Sequence, residues 1–316
     1  MESRALGRSD LVVSRLSLGS WRTFERIPRE AGAAVMRAAR DAGITFLDDA
    51  RYNDESGSAP LATGWSEVVF GGLFRDAGWP RDEVVVANKL WWEFWPSESA
   101  EGEVEGSLRR MGFDVIDLAY SAPLPSALPV DEAVAAIGAV IAAGKVRAWG
   151  TVNWPAESLA AAVRASADQG VPPPCATQLP YNLVSRSFVE SPEMAAALGD
   201  GDVAVVASAV LAGGALTGKY SSAPAAGDGR LSSQLSSPRL APAFAAAREL
   251  SALAAAHATT PAALALAFAL DNARVASALF GATTPDQIAA NAEAVTLAAR
   301  LDPDAWTALR AIGAEA

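Results

Sequence analysis

Residues 83–121, EVVVANKLWWEFWPSESAEGEVEGSLRRMGFDVIDLAYS, decide the fold. Positions 83–88 (EVVVAN) read as a strand whose residues 84–87 are apolar in succession rather than in alternation, the pattern of a strand covered on both faces in a parallel sheet. Positions 101–111 carry helical spacing, and 115–120 return to a β-like run. A strand, a helix and a strand joined by short links form the repeating unit of an α/β protein.

The unit recurs in both directions. Upstream, a hairpin is expected from 4–6 and 12–13 around the turn 7–10, then a strand at 15–18 and a helix at 30–42 ending at Gly43. A strand at 45–48 and a helix at 66–77 ending at Gly78 follow. Downstream come helix 130–143, strand 146–151, helix 156–165, strand 175–179, a short helix at 190–198 and strand 203–207. A Ser/Gly/Pro-rich loop at 221–237 interrupts the alternation before helices 242–256 and 261–270, strand 276–281 and helix 285–294. A last helix, 302–312, opens with Asp302 as its cap and Pro303 in its first turn. Eight strands, each followed by helical pattern, predict an α/β fold of the (β/α)8 TIM-barrel type, with an N-terminal β-hairpin and extra C-terminal helices. No shift in composition marks a second domain, so residues 1–316 are expected to form one barrel domain.

Hydrophobic residues are 51% of the chain and charged ones 19%, ample for a core. The 25 Lys and Arg against 36 Asp and Glu leave a net charge of −11. Such a surface repels phosphate backbones and anionic lipid, so neither nucleic acid nor a membrane is an expected partner. The single cysteine, Cys175, rules out a disulfide framework, and its Pro174 and Ala176 flanks fit a buried small residue. One histidine, one cysteine and scattered carboxylates make no ligand cluster, so no metal is expected. The N-terminus lacks an apolar signal core and no stretch reaches the ~18 apolar residues of a membrane span, which predicts a cytoplasmic protein.

In a barrel of this kind chemistry sits where the strands end. That rule selects positions 48–53, 89–95, 120–123, 151–154, 178–181, 208–220 and 281–284. Asp48 and Lys89 each close an apolar strand and should enter the mouth half desolvated; an ammonium there would favour the phenolate of a neighbouring tyrosine. A purely structural salt bridge is the plain alternative for the pair. Asp49, Asp54 and Glu55 are read as solvated loop charges.

Eight motifs then occur in order: LGRSDLVVSRLSLGSW (6–21), GITFLDDARY (43–52), VVVANKLWW (84–92), DVIDLAYS (114–121), WGTVNW (149–154), QLPYNLVSR (178–186), LAGGALTGKY (211–220) and GATTPDQIAAN (281–291). Together they resemble the aldo-keto reductases over nearly the whole chain. The closest likeness is to the branch holding bacterial reductases of sugar-like and aromatic carbonyls and the potassium-channel β subunits. The resemblance implies NADP bound across the barrel mouth, hydride transfer to a carbonyl, and an Asp, Tyr, Lys and His tetrad whose Tyr gives the proton. By that likeness Asp48 and Lys89 take the Asp and Lys roles, and Asn153 and Gln178 hold the nicotinamide amide. Leu211, Gly213, Gly214 and Lys219 lie along the pyrophosphate, while Gly281, Thr283, Gln287 and Asn291 meet the adenosine end at a helix N-terminus.

Four positions depart from the pattern. The Tyr of the family falls on Asn53, with Tyr52 one residue short; the long loop 53–65 allows Tyr52 to enter instead, so Tyr52 is the preferred phenol and Asn53 its rival. The His falls on Ala122, beside Ser121, so either Ser121 or a water is the candidate proton relay; His257 lies at a helix end and cannot substitute. The aromatic that stacks on the nicotinamide falls on Ser208, leaving Trp91, Trp92, Trp95, Trp154 or Tyr181 to supply that surface. Thr284 stands where an Arg often grips the 2′-phosphate, which leaves NAD as the alternative to NADP. The expected activity is reduction of a small, sugar-like or aromatic carbonyl, or oxidation of the alcohol. A redox-neutral epimerase or eliminase with bound nucleotide, and a nucleotide-binding regulatory protein with little turnover, are the alternatives. Oligomeric state is left open.

Overall fold

The first residues seal one end of the molecule. In the computed structural model, which describes residues 1–55, 57–220, 231 and 234–314, β1 (Ser3–Ala5) pairs antiparallel with β2 (Val12–Ser14). Leu6, Leu11 and Val13 beside this hairpin are buried against Phe46, Leu118, Ala176 and Val206, so the hairpin plugs the barrel floor. Gly7 makes the plug fit: its φ is +50° and a Cβ there would stand 2.4 Å from the Cys175 carbonyl oxygen.

The barrel follows. Strand β3 (Leu16–Gly19) leads to α1 (Arg29–Asp41), β4 (Phe46–Asp48) to α2 (Trp65–Asp76), β5 (Val85–Leu90) to α3 (Ala100–Met111), and β6 (Ile116–Ser121) to α4 (Val130–Ala142). Then β7 (Val146–Val152) leads to α5 (Ala156–Gln169), and β8 (Ala176–Pro180) to α6 (Ser187–Glu190) and α7 (Pro192–Gly201). After β9 (Ala204–Ser208) come α8 (Ala241–Ala256) and α9 (Pro261–Asp271); β10 (Val275–Phe280), α10 (Pro285–Leu297) and α11 (Pro303–Ala311) complete the chain. The eight strands from β3 to β10 are parallel and close on themselves through β10 beside β3, a (β/α)8 TIM barrel. The loop expected at 221–237 falls mostly outside the described residues.

Side chains alternate across the barrel wall. Phe46, Ala87, Leu118, Tyr120 and Ala122 share the lumen cluster, while Leu47, Val86, Ala119 and Trp149 pack against the helices. The strands also run further than their apolar stretches. Strand β5, expected at 83–88, spans Val85–Leu90, and Arg81–Glu83 form a 3-10 turn. Its polar end stays in the ladder because each group is satisfied: Asn88 Nδ2 donates to Glu67 Oε1 at 2.9 Å, and Lys89 bonds to Asp48. The single helix expected at 190–198 is two, α6 and α7, parted where Ser191 caps a helix that starts at Pro192. Among the described residues, no single helix is long and apolar enough to cross a membrane.

Candidate active site

Strand β4 turns Asp48 into the lumen and β5 does the same for Lys89; they are 2% and 5% exposed. Lys89 Nζ donates to Asp48 Oδ1 at 2.6 Å and lies 3.1 Å from the Tyr52 hydroxyl. From β8, Gln178 Nε2 donates to Asp48 Oδ2 at 2.9 Å. Both carboxyl oxygens are therefore bonded, the condition under which a buried ion pair is tolerated. Burial works against the Lys89 charge, yet Asp48 and the phenol outweigh it and hold the ammonium above its ordinary value. Burial lifts the Tyr52 phenol; Lys89 pulls it down and Asp48 pushes it up, and the net direction is upward. Lys89 favours the phenolate as expected, but desolvation outweighs it. The group is a neutral phenol clamped to an ammonium.

Turn geometry decides which residue enters. The Tyr52 amide donates to the Ala50 carbonyl at 2.8 Å, a three-residue turn centred on Arg51. The Ser66 hydroxyl braces the same carbonyl at 2.6 Å, and the Gly64 amide reaches Tyr52 O at 2.9 Å. Asn53 then pairs with Thr63 as an antiparallel bridge, and its exposed amide donates to Glu93 Oε1 at 3.3 Å. The structure brings Tyr52 to Lys89 and directs Asn53 away from it. The Tyr52 ring is flanked by Trp21, with centroids 6.4 Å apart, and by Trp91 at 6.0 Å.

Ser121 does not join the cluster. It is the last residue of β6 and faces the helices, where its Oγ accepts the Trp92 indole N–H at 2.9 Å and donates to the Ala122 carbonyl at 3.2 Å. Ala122 itself belongs to the lumen group, and its carbonyl accepts the Trp154 N–H at 2.8 Å. Tyr181 stacks on Phe268 at 5.6 Å and donates to Glu190 Oε1 at 2.5 Å, and Trp95 packs edge-on against Trp92 at 5.9 Å. Of the five aromatic candidates, Trp91 is the one in ring contact with Tyr52. His257 caps the end of α8.

Three residues that were not candidate site residues lie in or directly behind this cluster: Trp21, Tyr120 and Asp49. Trp21 follows β3 as Asp48 closes β4, so its place on the rim was available from the strand pattern. Tyr120 is two residues beyond the inward-facing Leu118, an alternation that marks it as a lumen side chain. Its hydroxyl has no hydrogen-bond partner among the described residues; burial pushes this phenol well up, Asp48's charge adds to the effect, and the nearby Gln178 side chain opposes it. Asp49 is not a solvated loop charge: it is fully buried on the outer face of the wall, bonded to the Ser20 hydroxyl, with its second oxygen unpartnered among the described residues. Burial, then the charge of Glu67, hold its carboxyl well above the usual range. Glu67, by contrast, is paired with Arg110 at 2.5 Å. Asp54 is half-buried, accepting the Ala59 amide at 3.0 Å, and Glu55 is exposed in ion pairs with Arg22 and Arg26. Cys175 is buried, its thiol pushed up to about 12 by that burial.

The residues assigned to a nucleotide lie around the same rim. Asn153 is exposed with φ +57° and its amide donates to Gln178 O at 3.0 Å. Ser208 ends β9, its carbonyl bonded to the Tyr181 amide. Leu211 enters a turn in which Gly213 and Gly214 take φ of +68° and +101°, so backbone replaces side chains along that surface. Lys219 is exposed, its Nζ 4.9 Å from the Tyr220 ring centroid and 3.5 Å from where a Gly214 Cβ would stand. Gly281 is exposed before α10, Thr284 caps that helix through the Gln287 amide at 3.4 Å, and Gln287 returns a bond to the Thr283 amide at 2.8 Å. Asn291 is buried on α10. The left-handed glycine pair, the exposed Lys219 ammonium and the N-terminus of α10 are groups that suit a dinucleotide's phosphates. Among the described residues, no group of three His, Cys, Asp or Glu side chains could hold a metal ion.

The aldo/keto reductase family model matches residues 15–314. A protein of Oryza sativa subsp. japonica named probable voltage-gated potassium channel subunit beta is 32% identical over 326 residues, covering 99% of this chain and 96% of that one. One of the same name from Arabidopsis thaliana is 30% identical, covering 96% and 94%. A Schizosaccharomyces pombe protein, putative voltage-gated potassium channel subunit beta, is 32% identical, covering 95% and 90%. With the barrel closed as this family requires and the match running over nearly its full length, the chain belongs to the aldo/keto reductase family.

Proposed function

We propose that the protein is an NAD(P)-dependent oxidoreductase that reduces a small aromatic or sugar-like carbonyl, using Tyr52 as the proton donor, Lys89 and Asp48 as its support, and NADP as the cofactor with NAD the alternative. The observation that carries this reading is the Tyr52 hydroxyl 3.1 Å from Lys89 Nζ, itself paired with Asp48.

A reduced nicotinamide nucleotide, when bound, supplies the hydride. Asn153 and Gln178 would hold its amide, Gly213, Gly214 and Lys219 its pyrophosphate, and Thr283, Thr284 and Gln287 its adenosine end. Tyr52, kept neutral by burial, donates its proton to the carbonyl oxygen as negative charge grows there. The phenolate left behind is stabilised by the adjacent ammonium, and Asp48 holds that ammonium charged and in place. Gln178 keeps Asp48 from rotating away. Trp21 and Trp91 offer apolar ring faces beside the phenol, which suits a flat or ring-shaped substrate.

A second reading is favoured by Ala122, which leaves the mouth without the imidazole of the family tetrad, and by the channel-subunit names of the relatives. It holds that the chain is a nucleotide-binding regulatory subunit with slow turnover. One experiment separates the two: titrate the protein with NADPH and NADH by tryptophan quenching, then assay a panel of aromatic and sugar-like aldehydes and ketones. Binding with turnover supports the reductase, binding without it the regulatory subunit, and no binding of either nucleotide at millimolar concentration defeats both.

A further inference from the structure

We propose that Arg51 is a positioning residue: its buried guanidinium holds the shortened turn that carries Tyr52 to Lys89. The proposal rests on the reductase reading.

The spacing sets the problem. Between Asp48, whose strand ends there, and Tyr52 lie Asp49, Ala50 and Arg51, one residue fewer than the family pattern allows. The missing residue is made up by the tight turn in which the Tyr52 amide bonds back to Ala50 O at 2.8 Å, with Arg51 at its apex. The apex of a three-residue turn at a barrel rim is normally a solvated position. Arg51 is instead 4% exposed.

The two terminal nitrogens of its guanidinium pair with the segment that follows Lys89, while Nε has no hydrogen-bond partner among the described residues. Nη1 lies 3.1 Å from Glu98 Oε2, and Nη2 lies 3.2 Å from Glu103 Oε1 and 3.7 Å from Glu93 Oε2. The guanidinium carbon stands 4.9 Å from the Phe94 ring centroid. Glu103 also accepts the backbone amides of Trp91 at 2.7 Å and Trp92 at 3.2 Å. One node therefore links the residue before Tyr52 to the residues just after Lys89, and the two reacting side chains leave the backbone on either side of it. The Asn53 amide repeats the link at Glu93, one residue beyond the phenol. Trp91, whose ring meets Tyr52, is held by the same Glu103. A forked, planar cation matches three carboxylates from different directions, which a lysine cannot do.

The test compares Arg51→Met and Arg51→Lys with the native protein in four readouts: melting temperature, NADPH affinity by tryptophan quenching, kcat and KM for one aldehyde, and the phenolate absorbance of Tyr52, isolated by subtracting the Tyr52→Phe spectrum. Positioning predicts that kcat falls ~10- to 100-fold in Arg51→Met while NADPH affinity stays within about twofold, since the nucleotide turn follows β9, away from Arg51. Arg51→Lys recovers less than half of the loss. Tyr52, freed from Lys89 and exposed, then titrates near the ordinary tyrosine value rather than above it. A lowered melting temperature with kcat and the Tyr52 titration unchanged would overturn the proposal and leave Arg51 a structural ion pair. If Arg51→Met does not fold, Glu93→Gln and Arg51→Lys carry the same comparison. If the native protein binds NADPH but turns over no aldehyde, the reductase reading fails by itself, and the Tyr52 titration still decides whether Arg51 places the phenol.

Discussion

Gln178 Nε2 reaches across the barrel mouth to Asp48 Oδ2, 2.9 Å away and 130 residues earlier in the chain. Strands β8 and β4 are not neighbours, so this bond spans the lumen rather than a ladder. With Lys89 on the other oxygen, it leaves Asp48 no lone charge to solvate. Lys89→Met therefore strands a buried carboxylate and should cost about 3–5 kcal/mol of unfolding free energy, read by urea denaturation. Gln178→Leu, which removes one bond to a charged group, should cost about 1–3 kcal/mol. Pairing Lys89→Met with Asp48→Leu should recover most of the first loss. A Lys89→Met protein as stable as the native one would show the pair to be solvated.

Tyr52→Phe should lower carbonyl reduction by ~10²- to 10⁴-fold, the usual contribution of a positioned general acid, with nucleotide affinity unchanged. Asn53→Ala, which removes the exposed bond to Glu93 and leaves the backbone bridge to Thr63, should leave kcat within about twofold. Equal losses in both variants would contradict the assignment of the phenol.

The upward shift of Tyr52 also sets a pH dependence. Reduction needs the neutral phenol, and a raised phenol stays neutral above the ordinary tyrosine value of about 10. The reduction rate should thus be flat from about pH 6 to about pH 9 so far as Tyr52 governs it, and alcohol oxidation, which needs the phenolate, should rise throughout that range. A fall in reduction near pH 8 would show the phenol to be lowered, not raised.

Asp49 carries the opposite sign from an ordinary surface carboxylate. Its carboxyl is raised by burial and by Glu67, so the folded state binds a proton that the unfolded chain has released. The contribution is harmless below the unfolded value of about 3.9 and grows unfavourable as pH rises from there toward the folded value. Asp49→Asn keeps the acceptor for Ser20 and removes that cost. It should raise the melting temperature at pH 7 to 8, with the gain shrinking toward pH 4, as differential scanning calorimetry would record.

Gly150 lies under the Tyr120 ring. A Cβ at this position would stand 2.3 Å from the Ala176 carbonyl oxygen and 3.2 Å from Tyr120 Cδ1. Because the first neighbour is backbone in the adjoining strand, Gly150→Ala should destabilise the barrel by about 1–3 kcal/mol, seen as a lower urea midpoint.

The barrel was legible in the chain because its signals are local. Runs such as 84–87 mark strands buried on both faces, and the helical spacing between them needs no distant partner. The same signals put Asp48 and Lys89 at the ends of neighbouring strands, hence on one rim. Their pairing follows from that placement.

What the tertiary structure alone decided depends on parity, turn geometry and long-range contacts. Strand β6 runs one residue past its expected end, and that step turns Ser121 outward to Trp92, since neighbours on a strand face opposite sides. The same alternation sends Asp49 into the helix layer behind Asp48, where Ser20 and Glu67 meet it. Whether Tyr52 or Asn53 enters the mouth was set by a turn whose bracing groups, Ser66, Gly64 and the carboxylates around Arg51, come from later elements of the chain. Apolar periodicity records burial along one segment. It does not record which distant group will satisfy a buried polar atom, and in this protein that choice places the phenol.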